Sequence, residues 1–168
     1  MKKILLLTFF CSVVFVSITN AQNEKFKALF IYNFTKYLEW PQSYNQGDFV
    51  ITVLGDSPIA KELEVIAAKK KIGMQAIDVK KISSVSQLSK SHMVFVPKGK
   101  ATAISKLQEK LKGTSTLVIT DKQGAIKKGA EINFVVKGSK QKFEISKANI
   151  ESQGIKVESS LLSLGIPK

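Results

Sequence analysis

The residues able to do chemistry in this chain are few, and they lie at the ends of apolar runs. His92 is the only histidine and Cys11 the only cysteine. A metal site needs several His, Cys, Asp or Glu ligands. A Ser-His-Asp triad would have to be built on His92, yet the sequence has no Gly-x-Ser-x-Gly nucleophile elbow. No Gly-x-Gly-x-x-Gly or phosphate-binding loop occurs either. These observations argue against an enzyme, a metal and a cofactor, and they give His92 a structural, hydrogen-bonded role at the entry of an apolar strand. What remains is a set of polar residues that follow three apolar runs: Asp56 with Ser57, Lys98 with Lys100, and Thr120 with Asp121. Open α/β proteins bind ligands where parallel strands end along one edge of a sheet. Acid, amine and hydroxyl together suit a zwitterionic small molecule there. The competing reading is loop capping, which draws on the same residue types.

The elements that must position this set can be read from the pattern. Phe49-Val50-Ile51-Thr52-Val53-Leu54, His92-Met93-Val94-Phe95-Val96 and Leu117-Val118-Ile119-Thr120 are short, nearly continuous apolar runs, the signature of strands buried on both faces. Ser57 as cap and Pro58 as first residue open a helix with Ile59, Leu63, Ile66 and Ala67 on its buried stripe. Met74 to Ile82 alternates as a second, less buried strand that counts Met74 among its apolar positions. Ala103, Ile104, Leu107 and Leu111 mark another amphipathic helix. The rhythm then changes to a hairpin, Ile132–Val136 and Lys142–Ile145 around Lys137-Gly138-Ser139-Lys140. A short helix from Ala148 to Gln153 follows, and Leu161, Leu162 and Leu164 are expected to dock a last segment. The fold class expected is an α/β single-domain sandwich: a mixed, partly parallel sheet flanked by helices, with a C-terminal β-hairpin and short terminal helix.

The whole is expected to be organised around the stretch from Lys25 to Pro41. Phe26, Leu29, Phe30, Asn33, Phe34 and Tyr37 recur at helical spacing, which predicts one aromatic helix face. Lys27, Thr35, Lys36 and Glu39 form its polar strip. Pro41 is expected to end the helix and to leave Trp40 buried at its last turn. Asn33, a polar amide on that face, must be hydrogen-bonded if it is buried.

Residues 1–21 read as a signal peptide. Lys2 and Lys3 precede the apolar run Ile4 to Ile18, and Thr19-Asn20-Ala21 is a small-residue cleavage site. That leaves residues 22–168 as the mature domain, exported and periplasmic. The formal charge is +13, and every basic residue is lysine. Without the bidentate fork of arginine, and with lysines scattered rather than clustered with aromatics, a nucleic-acid partner is excluded.

Several blocks resemble the YfiR-like family of periplasmic regulatory proteins. Lys27 to Pro41 is similar to the family's opening helix, with its F-x-Y-N-F-x-K-x-x-x-W-P pattern. Val53-Leu54-Gly55-Asp56, Ser91 to Val96, Leu117 to Asp121, Gly129 to Phe134, Phe143-Glu144-Ile145, Gly154 to Val157 and Ser159 to Leu162 resemble later blocks in order. The resemblance implies a non-enzymatic regulator that binds the periplasmic part of an inner-membrane signalling protein, a diguanylate cyclase controlling cyclic-di-GMP or a related sensor such as a histidine kinase. The expected partner surface comprises Tyr32, Lys36 and Trp40 with Ser159 and Leu162. The second function class is a periplasmic small-molecule binding module using Asp56, Ser57, Lys98, Thr120 and Asp121. A small-molecule effector and a homodimer are left open. Where many relatives have cysteine this chain has Ser91, and Cys11 leaves with the signal. Melting curves with and without dithiothreitol should therefore coincide. A downward shift in reductant would show that a thiol survives in the mature chain.

Overall fold

The structure is a computed structural model and describes residues 22–168; the signal-peptide reading concerns residues outside that range. The first helix, α1, covers residues 22–34. After it come β1 (Leu38–Glu39), β2 (Phe49–Leu54), α2 (Ile59–Ala67), β3 (Lys71–Ile72), β4 (Gln75–Ile82), β5 (Met93–Val96), α3 (Ile104–Leu111) and β6 (Leu117–Thr120). The chain ends with β7 (Ile132–Lys137), β8 (Lys140–Ile145), α4 (Lys147–Ser152), β9 (Lys156–Val157), α5 (Ser159–Leu164) and β10 (Ile166–Pro167).

An eight-stranded sheet runs in the order β10-β8-β7-β6-β5-β2-β4-β3. Its centre, β4-β2-β5-β6-β7, is parallel throughout, while β3 runs antiparallel to β4 and β8 antiparallel to β7. The three apolar runs are adjacent, and alternate residues divide between two cores. Ile51, Val53, Met93, Phe95, Leu117 and Ile119 meet Ala28, Ile31 and Phe34 of α1 and Ile59 and Leu63 of α2. On the other face Leu54, Val94, Val96 and Val118 meet Ile104, Leu107 and Leu111 of α3. This is the α/β sandwich with mixed sheet, C-terminal hairpin and short terminal helix that the sequence implied.

Several local expectations are overturned. Helix α1 stops six residues before Trp40, so Pro41 does not end it. Three successive i→i−3 bonds, from the N–H groups of Thr35, Lys36 and Tyr37, tighten the backbone, and the Thr35 hydroxyl donates to Tyr32 O at 2.6 Å. Leu38 and Glu39 then pair antiparallel with Val157 and Lys156. A long-range ladder has overridden the helical period.

The buried face of α1 is also rotated from the one predicted. Lys27, Ala28, Ile31 and Phe34 are covered, while Phe26 and Leu29 are exposed and Phe30, Asn33 and Tyr37 half-buried. Met74 belongs to the turn before β4 and is 92% exposed. Ser57 makes no side-chain cap on α2; its backbone carbonyl takes the N–H of Ala60 instead. Of the terminal leucines only Leu161 is buried, and Leu164 stays 65% exposed.

The hairpin closes through Gly138-Ser139 with Gly138 at φ 61°, the left-handed first position of a II′ turn. It carries Phe134 opposite Phe143. Phe34 packs edge-on to Phe143 at 4.8 Å and stacks on Phe134 at 6.0 Å, an arrangement worth more than its buried area alone. The last strand, β10, then adds parallel to β8. A close approach at Gly165 makes that possible. A Cβ there would lie 2.6 Å from Ile145 Cγ2 and 2.6 Å from Phe143 Cε2, both on buried side chains. Gly165→Ala should cost about 1–3 kcal/mol through overpacking, read as a lower midpoint in urea with an unchanged slope. Wild-type stability would show that β10 does not seat as described.

Candidate functional site

The parallel order places β2 first, β4 to one side of it, and β5, β6 and β7 to the other. The chain therefore reverses direction between β2 and β5, and their carboxyl ends form the topological switch point. The polar residues picked out from the sequence do not all meet there. At the switch, the stem of Lys100 lies on Gly55: a Cβ at Gly55 would be 2.8 Å from Lys100 Cε. Asp56 is exposed beyond it and Ser57 is buried. Thr120 is fully buried, and its hydroxyl accepts the Lys122 N–H at 3.2 Å.

Lys98 and Asp121 do come together, one strand further on. Asp121 Oδ1 accepts the Lys98 N–H at 2.6 Å, and Oδ2 accepts from Lys27 Nζ at 2.7 Å. Lys27 donates to Glu24 as well, also at 2.7 Å. Burial pulls the Lys27 amine toward lower pKa, but the hydrogen bonds to Asp121 and Glu24 outweigh it and hold the amine above its ordinary value. These groups border a hollow of about 680 Å³ with Lys122, Lys137 and Glu144. Four amines and three carboxylates thus face one space. Sequence reasoning missed Lys27, Glu24 and Glu144. The available signal was Lys27 itself, a cation with Phe26, Ala28 and Ile31 at i−1, i+1 and i+4.

A second hollow is apolar. On one side of α1, Phe30, Asn33 and Tyr37 face Leu161 and Leu164 of α5 across Phe143, enclosing about 470 Å³. Tyr32 and Lys36 sit on a neighbouring strip, where the Lys36 amine lies 5.4 Å from the centre of the Tyr32 ring. Ser159 is exposed and Leu162 half-buried. Trp40 is 7% exposed and so presents little of itself to a partner.

His92 anchors the opposite edge of the sheet. Its Nδ1 accepts the Val50 N–H at 3.0 Å, which leaves Nε2–H to donate to Tyr44 O at 2.7 Å. The ring stacks on Phe49 at 4.2 Å and meets Tyr44 edge-on at 5.2 Å. Both nitrogens are used by the neutral tautomer, and protonation would set an N–H against an N–H. Burial holds the imidazole below its ordinary pKa, and the nearby Lys90 acts in the same direction. Glu131, also fully buried, is the counterpart. Burial pushes its carboxyl up to about 8, despite the hydrogen bond from Val118 N–H and contacts with Gln153 and Gln108. Among the described residues no three His, Cys, Asp or Glu side chains gather as a metal site, and no helix is long and apolar enough to cross a membrane.

The sequence model of a family described as YfiR/HmsC-like matches residues 24–166. No curated protein matches the chain.

The two buried groups titrate with opposite sign. His92 has a depressed folded pKa, so its contribution is present above about 6.5 and is lost as pH falls from there toward the folded value. Glu131 has a raised one, so its contribution is present below the ordinary value of 4.5 and is lost as pH rises through about 8. Denaturant titrations of wild type, His92→Gln and Glu131→Gln from pH 5 to 8.5 separate them. His92→Gln should lose stability at neutral pH but show less acid-side decline. Glu131→Gln should gain on wild type progressively as pH rises. A Glu131→Gln difference independent of pH would mean that the carboxyl is ionised in the fold.

Proposed function

The chain belongs to the YfiR/HmsC-like family, and we propose on that premise that it is an exported, non-catalytic regulator of a signalling protein in the inner membrane. Members of this family act as periplasmic regulators of cyclic-di-GMP synthases; for this chain the partner is a diguanylate cyclase or a related sensor kinase.

The observation that carries the reading is the open apolar groove between α1 and α5. Phe26, Leu29 and Leu164 are large apolar side chains left exposed on these two helices, and Phe30, Tyr37 and Leu161 floor the space between them. Exposed large apolar side chains beside an open apolar groove are characteristic of a binding face. Tyr32 and Lys36, on the strip beside it, and Ser159 and Leu162 of α5 are the residues we assign to its margin, since an aromatic beside a lysine suits an interface. A bound regulator shifts its partner only through different affinities for the partner's on and off states. A tenfold change in output needs a difference of only ~1.4 kcal/mol.

A second reading, a small-molecule binding module, is supported by the polar hollow around Lys27, Lys98 and Asp121. Its mixed amines and carboxylates suit a zwitterion.

Leu164→Glu places a charge on an exposed position and should leave the melting temperature within a degree or two of wild type. It should reproduce the effect of gene deletion on cellular cyclic-di-GMP or on envelope-kinase output. A photocrosslinker at position 164 should capture an inner-membrane signalling protein. If deletion changes neither output and no such protein is captured, the regulator reading fails and the binding-module reading takes its place.

A further inference from the structure

The β7–β8 hairpin outruns the sheet that carries it. β6 pairs with β7 only at Ile119 with Ile132 and at Thr120 with Asn133, so Phe134 to Lys137 continue past the carboxyl end of β6. At about 3.3 Å per residue the ribbon projects roughly 13 Å beyond that edge. Its end is open: Val136, Lys137, Gly138, Ser139 and Lys140 are all exposed, Val136 to 62%. The register sets Lys137 directly opposite Lys140. Side chains alternate along a strand, so Lys142 shares their face. Like charges directly opposite one another destabilise a ladder, yet no acid is placed among these three. The only acid in either strand, Glu144, is occupied by Asn133 Nδ2 at 2.9 Å and Lys168 Nζ at 3.1 Å.

Two more exposed lysines stand at the same edge, Lys98 after β5 and Lys122 after β6, and both border the polar hollow with Lys137. The other carboxylates of that hollow, Glu24 and Asp121, are held by Lys27. Among the described residues, none of Lys98, Lys122, Lys137, Lys140 and Lys142 takes part in an ion pair. Five amines therefore gather at one edge without a countercharge from the protein. All of them are lysines, hydrated point charges on flexible stems, which suit a diffuse layer of anions better than one fixed bidentate group. A small anion would answer the amines of the hollow but has no use for the reach of the ribbon or for an apolar side chain at its end. A layer of anionic headgroups answers both, because lysine stems and Val136 can rest against the apolar boundary beneath it.

We propose that the β7–β8 hairpin, with Lys98 and Lys122 at its base, docks on a bilayer of anionic phospholipid and holds the carboxyl edge of the sheet against it. Each lysine near an anionic surface multiplies binding by about fivefold. The attraction fades over a Debye length, about 8 Å at physiological salt, so the lysines at this edge count and those at the far edge do not. The inference goes beyond the regulator reading. It concerns lipid alone, and its failure would leave the capture of a signalling protein untouched.

The mature chain is sedimented with vesicles of phosphatidylcholine, or of phosphatidylcholine mixed with phosphatidylglycerol. Wild type should travel only with the anionic vesicles and be released by high salt. Neutralising the ribbon with Lys137→Gln, Lys140→Gln and Lys142→Gln together should weaken that binding at least about tenfold. The melting temperature should not fall, because the change removes a cross-strand repulsion. The control makes the same charge change beside the amino-terminal end of β4, with Lys69→Gln, Lys70→Gln and Lys71→Gln, and should bind within about twofold of wild type. Val136→Trp puts a reporter at the end of the ribbon, and its emission should move to the blue with anionic vesicles only. Equal losses in the two triple variants would reveal the general attraction of a basic chain and overturn the proposal. So would an absence of sedimentation with anionic vesicles, or an unshifted reporter in the bound protein. Release by inorganic phosphate at an ionic strength where chloride releases nothing would also overturn it, assigning the lysines to a free anion.

Discussion

Lys27 carries a charge on the apolar side of α1 and is only 5% exposed, a placement that survives because two carboxylates meet it. Removing one partner of a buried pair leaves an uncompensated charge and is far more costly than the pair is stabilising. The contact is therefore a constraint as much as an attraction. Asp121 follows β6 directly, and its other oxygen holds the backbone of Lys98 beyond β5, so the amine pins α1 to the carboxyl ends of two adjacent strands. Once Lys27 must point there, the rotation of α1 is settled. Ala28, Ile31 and Phe34 go under, and Phe26 and Leu29 are turned out. The aromatic face that remains open is a consequence of where one ammonium group has to be.

The far edge of the sheet is fixed by a neutral group rather than a charged one. His92 accepts from β2 and donates to the Tyr44 loop, while its own backbone N–H reaches Val50 O and its carbonyl takes the Leu117 N–H. One residue thereby joins β2, the entry to β5, the start of β6 and the loop before β2. An imidazole does this with one donor and one acceptor in a rigid ring, so the arrangement depends on its staying unprotonated. Two ends of one sheet are thus held by opposite electrostatic means, an ion pair at the carboxyl edge and an uncharged ring at the amino edge.

How much of this was legible in the sequence follows the range of the interactions. Phe49–Leu54, Met93–Val96 and Leu117–Thr120 announce buried strands because their pattern is local and both faces are covered. Ile104, Leu107 and Leu111 announce a helix for the same reason. By contrast Leu38–Glu39, Lys156–Val157 and Ile166–Pro167 pair over two residues each, too short for any period to register. The end of α1 was misplaced because Leu38 obeys a distant partner rather than the helical repeat. Among the candidate site residues, the types at the strand ends were read correctly but their gathering was not. Whether Asp121 faces Ser57 or Lys27 depends on the strand order and on the rotation of α1, and neither is written in local spacing.

The same short segment links the two ends in a way that bears on regulation. Tyr37 borders the apolar groove, whereas Thr35, Leu38 and Trp40 border a separate hollow at the amino-terminal ends of β2, β4 and β5. These residues occupy the tight turn and the two-residue β1 ladder that leave α1, with Glu158 N–H bonded to Tyr37 O at 3.0 Å just before α5. The two spaces therefore share one stretch of backbone whose pairing is short. Coupling between two sites is a free energy and is reciprocal: whatever occupancy of the hollow does to partner affinity at the groove, the partner does equally to the hollow. Its size is bounded by how differently the segment 35–40 sits in the two occupied forms. Because β1, like β3, β9 and β10, has only two residues to pair, little backbone bonding holds it to a single position.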